Sequence, residues 1–206
     1  ESLGHGVAEH SLADVVGGEG EELIETFMTR WMAGQAATLD RLGRVLGRRL
    51  GPDDVEPLTW ALAEEGRSRG AGEYLMAVGR HQQVTRAISG LLDGEADLLL
   101  TPTMGEPPTP LGTFDDSGPD PLAAIRRAFL TAAFTGLYNA TGHPAISLPL
   151  RWHGEGDGAL PIGVQLVAAH GREDLLIRLA AQLEQARPWA ARTPPVFATG
   201  DTSGHG

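Results

Sequence analysis

An α/β fold, with helices covering a sheet, is the architecture this sequence predicts. Three observations carry it. Residues 134–168 read as the end of a helix, a glycine-containing turn, a strand, a polar connection and a second strand. Residues 97–101 (Asp-Leu-Leu-Leu-Thr) form a short apolar run suited to a buried strand. Around these lie long segments whose apolar residues recur at helical spacing.

Taken in order, residues 1–16 open without a methionine or a capping signal, and Gly6–His10 is expected to be a strand seeking a sheet neighbour. Residues 19–49 carry a helical stripe of Leu23, Phe27, Trp31, Leu39, Leu42 and Leu46, acidic at its start and basic at its end, as the helix dipole favours. Gly34 and Gly43 are expected to divide it. Gly51-Pro52-Asp53-Asp54 is a stop and turn, and Pro57 begins a short helix to about Glu65. Residues 73–92 form the next helix, with Leu75, Val78, Ile88 and Leu92 as its buried stripe and Gly94 at its C-terminal end. Residues 102–120 are rich in proline and glycine and read as a long surface or cleft-lining loop, of a length that is usually functional or disordered. Pro121 opens a helix expected to run to about Tyr138, its inner face Leu122, Ile125, Phe129, Ala132 and Ala133. In the strand pair, Pro144, Pro149 and Pro161 stand at the ends, where a missing N–H costs least. A last helix spans 173–187, with Leu175, Leu176, Leu179 and Leu183 inward. Residues 1–197 are expected to belong to one domain, and the polar tail 198–206 to be disordered.

Composition narrows the function. The net charge is −11, so a phosphate backbone would be repelled and nucleic acid is a poor partner. There is no cysteine, which excludes disulfides and thiolate catalysis; a reducing compartment, the cytoplasm, is the expected location. No apolar run approaches the roughly 20 residues of a membrane helix, and no signal-peptide pattern opens the chain. All sixteen basic residues are arginine; lysine is absent.

Asn139-x-Thr141-Gly142-x-Pro144-Ala145-Ile146-Ser147-Leu148-Pro149, followed by Leu160-Pro161-Ile162-Gly163-Val164-Gln165-Leu166-Val167, closely resembles the C-terminal part of amidase signature enzymes. Asp97-Leu-Leu-Leu-Thr101-Pro102-Thr103 upstream, and Gly171-Arg-Glu-Asp-Leu-Leu with Leu179-Ala-Ala-Gln-Leu-Glu184 downstream, fit the same family in the same order. The resemblance implies the C-terminal part of that fold, a mixed central β-sheet flanked by α-helices. It implies hydrolysis of a carboxamide by a serine nucleophile, a second serine joined through a cis peptide, and a lysine. No Gly-Gly-Ser-Ser-Gly-like run occurs here, and the seven serines are scattered. The resemblance therefore implies that this chain contributes no catalytic residue, that the N-terminal part of the same enzyme is its partner, and that the chain alone is inactive. Neither cofactor nor metal is implied. The substrate would be a small-molecule amide, and self-association is left open.

In related amidases the segment after Asp97 approaches the reactive centre. Thr101 and Thr103 would offer hydroxyls to a substrate pocket, and Met104 and Pro108 apolar surface. Phe134 and Tyr138, on the helix that precedes the strand pair, would either border it or pack in the core. Asn139 is expected to hold the helix end before Gly142 and is carried as a pocket residue. Ser147 reads as a small polar residue in a packed sheet, since it lacks a strained Gly-x-Ser-x-Gly elbow. His143 reads as a turn histidine, His81 as the edge of a buried stripe, and His5 and His10 as opposite faces of one strand. Other readings remain: a non-catalytic scaffold subunit with this fold, an amidotransferase subunit, disfavoured by the acidic charge, or an independent binding domain.

Overall fold

A computed structural model describes residues 2–18 and 20–194. Seven helices and three strands follow in the order α1 (Leu12–Val16), α2 (Gly20–Leu46), α3 (Pro57–Ser68), α4 (Ala71–Gly94), β1 (Leu98–Pro102), α5 (Leu122–Thr131), α6 (Thr135–Thr141), β2 (Ala145–His153), β3 (Leu160–Ala168) and α7 (Glu173–Ala186). The α/β class holds. The expected mixed sheet does not: among the described residues the strands run antiparallel throughout, in the order β1-β3-β2.

β3 is the central strand. Its end, Gln165–Ala168, is buried at every position, because helices cover both faces. On one face Val167 packs with Val84, Ile88 and Leu92 of α4 and Tyr138 of α6. On the other, Leu166 and Ala168 pack with Leu148 of β2 and Leu176 of α7, and Leu179 and Leu183 extend the contact. The α2–α3 hairpin closes over Ala36, Leu39, Leu50 and Ala63. Met28, Met32 and Leu62 then join it to Leu122 and Phe129 of α5. The register of β2 on β3 shifts between Leu148 and Arg151. Pro149, which has no N–H to give the ladder, sits inside that shift.

Several expectations from the sequence need correction. Gly6–His10 forms no strand, since no strand lies beside it to pair with. The residues just before it touch α7, where His5 Nε2 and Gln182 Oε1 are 2.7 Å apart. Residues 97–101 lie at a sheet edge rather than its centre, and Leu100 is exposed. α2 runs unbroken through Gly34 and Gly43. Leu75 is exposed: the 3.6-residue stripe through Val84, Ile88 and Leu92 leads back to His81 and Ala77, not to Leu75. The helix expected over 121–138 is two helices. The Thr131 carbonyl, which a continuing helix would offer to Thr135, accepts instead from the Gly105 N–H at 2.7 Å, so the long loop ends α5. The tail 198–206 lies outside the described residues.

α2 and α3 approach so closely that a Cβ on Gly66 would stand 2.0 Å from the Met32 carbonyl oxygen. Backbone cannot yield there as a flexible side chain would. Gly34, on the same helix as Met32, faces open space. Gly66→Ala is therefore expected to destabilise the protein by about 1–3 kcal/mol in urea unfolding. Gly34→Ala is expected to stabilise it by about 0.5–1 kcal/mol through helix propensity. Equal effects at the two sites would contradict the packing described.

Candidate functional site

One end of the sheet is polar on a single face. Thr101, Gln165 and Ser147 are register partners across β1, β3 and β2, so their side chains share that face. In the next row on the same face Leu99 and Val167 enter the apolar core, while Ala145 stays exposed. The face thus changes from core to hydrogen-bonding surface within one repeat of the strand.

Gln165 organises this end. Its Nε2 donates to Thr101 Oγ1 at 3.1 Å and to the Phe134 carbonyl at 3.3 Å, tying the sheet to the start of α6. A buried amide left without partners would cost free energy, and two acceptors remove that cost. Beyond it, Thr103 donates its backbone N–H to the Gly163 carbonyl at 3.0 Å. Its hydroxyl lies 2.7 Å from Ser147 Oγ. Gly163 is required for this pair: a Cβ there would stand 2.6 Å from Thr103 Oγ1 and 2.7 Å from Ser147 Oγ. The two hydroxyls occupy the space a side chain would fill. Whichever one donates to the other, one O–H and several lone pairs remain for a ligand.

Chemically this is a hydrogen-bonding surface of hydroxyls and one amide. Among the described residues no imidazole, carboxylate or ammonium is hydrogen-bonded to Ser147, whose partner is another hydroxyl, so none of them is placed to remove its proton. The loop leaving Thr103 is pinned at its start. Glu106 takes both terminal nitrogens of Arg127, at 2.5 and 2.7 Å, and also accepts from Thr131 Oγ1. These partners, Arg127 foremost, hold the Glu106 carboxyl down at about 2. Met104 lies between the hydroxyl pair and this clamp and is exposed.

The expected site residues divide accordingly. Thr101 and Phe134 meet at Gln165, Thr103 bonds Ser147 beside them, and Met104 follows Thr103 in the chain. Pro108 is exposed on the loop and has no bond to the group. Asn139 is also exposed and does not end its helix. Gly142 does, in the left-handed region at φ 75°, its N–H bonded to the Tyr138 carbonyl at 2.9 Å. Tyr138 is core. Ser147 and Gly163 carry more of the geometry than their sequence positions suggested. An alternation of Gly163 and Gln165 along one strand face was the available signal. Two surface depressions, one at the end of α2 around Asp40 and Arg48 and one between Ser11 and Glu95, share no residue with this group.

His143 is buried behind β2. Its Nδ1 lies 2.8 Å from Thr141 Oγ1, its Nε2 lies 3.1 Å from Ser89 Oγ, and its ring lies 4.1 Å from that of His170. Burial first, then the His170 neighbour, lowers its pKa to about 4. It is a neutral packing residue at pH 7. A histidine with a depressed folded pKa contributes stability that is complete above its unfolded value of 6.5 and is lost as pH falls toward 4. Stability measured by urea unfolding is therefore expected to fall from pH 6.5 to 4, with a shallower slope in His143→Gln. An identical slope in the variant would remove His143 from the account.

A family model described as Amidase matches residues 12–177. The 6-aminohexanoate-cyclic-dimer hydrolase of Paenarthrobacter ureafaciens is 35% identical over 167 residues, covering 79% of this chain and 33% of that protein. A putative amidase, AmiC, of Mycobacterium tuberculosis is 34% identical over 200 residues, covering 96% and 40%. The solved structure of 6-aminohexanoate cyclic dimer hydrolase superposes with a TM-score of 0.80 at 33% identity, over 94% of this chain and 40% of that one. A bacterial aryl acylamidase of the amidase signature family shares the fold, with a TM-score of 0.63 at 20% identity. The chain thus spans 33% to 40% of the length of the curated relatives it matches. This chain belongs to the amidase signature family.

Proposed function

We propose that this chain is the C-terminal part of an amidase that hydrolyses a carboxamide to a carboxylate plus ammonia or an amine. The serine nucleophile, cis-joined serine and lysine belong to the remaining polypeptide. The observation that carries the reading is the Thr101–Gln165–Ser147 row with the Thr103 hydroxyl beside it, a polar surface with no base of its own, in a family of amide hydrolases. Such a surface suits an amide, which presents one acceptor and one donor. Thr101, Thr103, Met104 and Phe134 form the pocket wall; Pro108 and Asn139 are assigned to it from the family resemblance alone. The missing lysine supports placing the proton relay elsewhere. The proposed compartment is the cytoplasm, where a chain without cysteine needs no disulfide.

The reaction on this reading adds water across the C–N bond in two steps. The nucleophilic serine of the remaining part forms an ester with the acyl group as the amine leaves with a proton. Water then cleaves the ester and restores the serine. This chain's share is to hold the substrate amide in line and to keep the loop bearing Met104 in place through the Glu106–Arg127 clamp.

The test is ammonia release from hexanamide by the purified chain, alone and with the remaining family polypeptide. Hydrolysis only in the combined sample is expected; hydrolysis by the chain alone contradicts the division of labour, and none in either sample favours a scaffold subunit. In the combined enzyme, Met104→Trp is expected to change the kcat/KM ratio between bulky and small amides by roughly tenfold. An unchanged ratio contradicts Met104 as pocket wall.

A further inference from the structure

α2 ends in a backbone reversal. Gly47 takes the left-handed region at φ 67°. Its N–H meets the Arg44 carbonyl at 3.3 Å, and the Arg48 N–H meets the Gly43 carbonyl at 3.1 Å. Helices commonly finish on this pair of bonds around a left-handed glycine. The turn brings the chain back over Gly43, where a Cβ would stand 2.8 Å from the Arg48 carbonyl oxygen. Gly43 and Gly47, lacking side chains, border a depression of about 620 Å³. That is within the roughly 300–1,000 Å³ usual for small-molecule sites.

Four arginines line it: Arg44 from the last turn of α2, Arg48 and Arg49 from the returning chain, and Arg67 from α3. Among the described residues Asp40 is the one carboxylate in the lining. Two of the four arginines are taken. Arg48 binds both oxygens of Asp54 at 2.6 and 2.8 Å, and Arg67 joins Asp40 at 2.9 Å to Glu64 at 2.6 Å. Arg44 and Arg49 make no ion pair and no side-chain hydrogen bond among the described residues, and both are exposed.

The helix dipole accounts for Arg44 alone. Its pull fades within the last turn, whereas Arg48 and Arg49 follow the helix and Arg67 belongs to another. The Gly43 and Arg44 carbonyls also have backbone donors already, so no side chain is needed to cap them. Composition does not account for the cluster either. The net charge is −11, yet residues 41–49 hold four of the sixteen basic residues and no acid. An anion repelled by the chain as a whole would be drawn to this depression.

We propose that the depression at the end of α2 binds a small phosphate monoester, its phosphate paired with Arg44 and Arg49. Such a group carries about 1.5 to 2 negative charges at pH 7, matching two unpaired cations. The guanidinium fork fits phosphate oxygens. Arg48 and Arg67, fixed by their carboxylates, form walls, and Leu39 and Leu50 supply apolar surface to the organic part. The site shares no residue with the hydroxyl face, and the inference stands whether or not amide hydrolysis is demonstrated.

The test is calorimetric titration of the full-length protein at low salt with phenyl phosphate, and with benzoate as the monoanion of similar body. Phenyl phosphate is expected to bind saturably and benzoate at least roughly tenfold more weakly, the worth of one charged hydrogen bond. Arg44→Gln and Arg49→Gln are each expected to weaken phenyl phosphate roughly tenfold or more on the same basis. Neither side chain has a partner to lose, so both variants are expected to fold; Arg44→Lys, which keeps the charge, should weaken binding less. Arg41→Gln, on the same helix but outside the lining, is expected to leave binding unchanged. No saturable binding, equal affinity for benzoate, unchanged binding in both the Arg44 and Arg49 variants, or an equal loss in Arg41→Gln would each overturn the proposal.

Discussion

Everything in this chain leans on one strand. β3 is hydrogen-bonded on both edges and covered on both faces, and its last four residues are all buried. α4 and α6 rest on one side and α7 on the other. β1 and β2 each have only β3 as neighbour among the described residues, so without it no sheet remains and the helices lose a common surface. The helical hairpin α2–α3 is tied in less directly, through α5 and through the packing of α2 against α4. Burial of apolar surface on both sides of a strand is the main favourable term here.

The same strand makes the site. Its period of two puts Gly163, Gln165 and Val167 on one face, so a gap, an amide and a core residue follow one another along a single line. Val167 fixes the strand in the core. Gln165 reaches sideways to the β1 hydroxyl and to the α6 backbone, and Gly163 leaves room for two hydroxyls from the flanking strands. Position in the core, helix attachment and a hydroxyl-lined face are thus consecutive outcomes of one alternation. The clamp of Glu106 on Arg127 and Thr131, with the Gly105 N–H on the Thr131 carbonyl, then holds the neighbouring loop and breaks the helix it lands on.

Much of this was legible in the residues. The strand pair and the helices over α2, α4 and α7 follow from local periodicity, and the family from four ordered blocks. The errors share a cause: they lie where a long-range contact decides. Nothing within residues 121–138 announces that Gly105 captures the Thr131 carbonyl. Nothing in Gly6–His10 states whether a neighbouring strand is at hand. Leu75 is apolar and near the right spacing, yet the buried stripe is set by what α4 meets, and it passes through Ala77 and His81 instead. At the candidate site, Thr101 and Thr103 were named from the family resemblance, as part of the segment that approaches the reactive centre in related amidases. Ser147 and Gly163 were undervalued because their role exists only across the register of two strands.

Native-state amide hydrogen exchange tests the dependence on β3 most directly. The account expects the amides of Leu166, Val167 and Ala168 to exchange slowest, only through global unfolding, with the α2–α3 hairpin opening at lower free energy. A hairpin as protected as β3, or β3 amides that exchange while α4 and α7 stay protected, would contradict it.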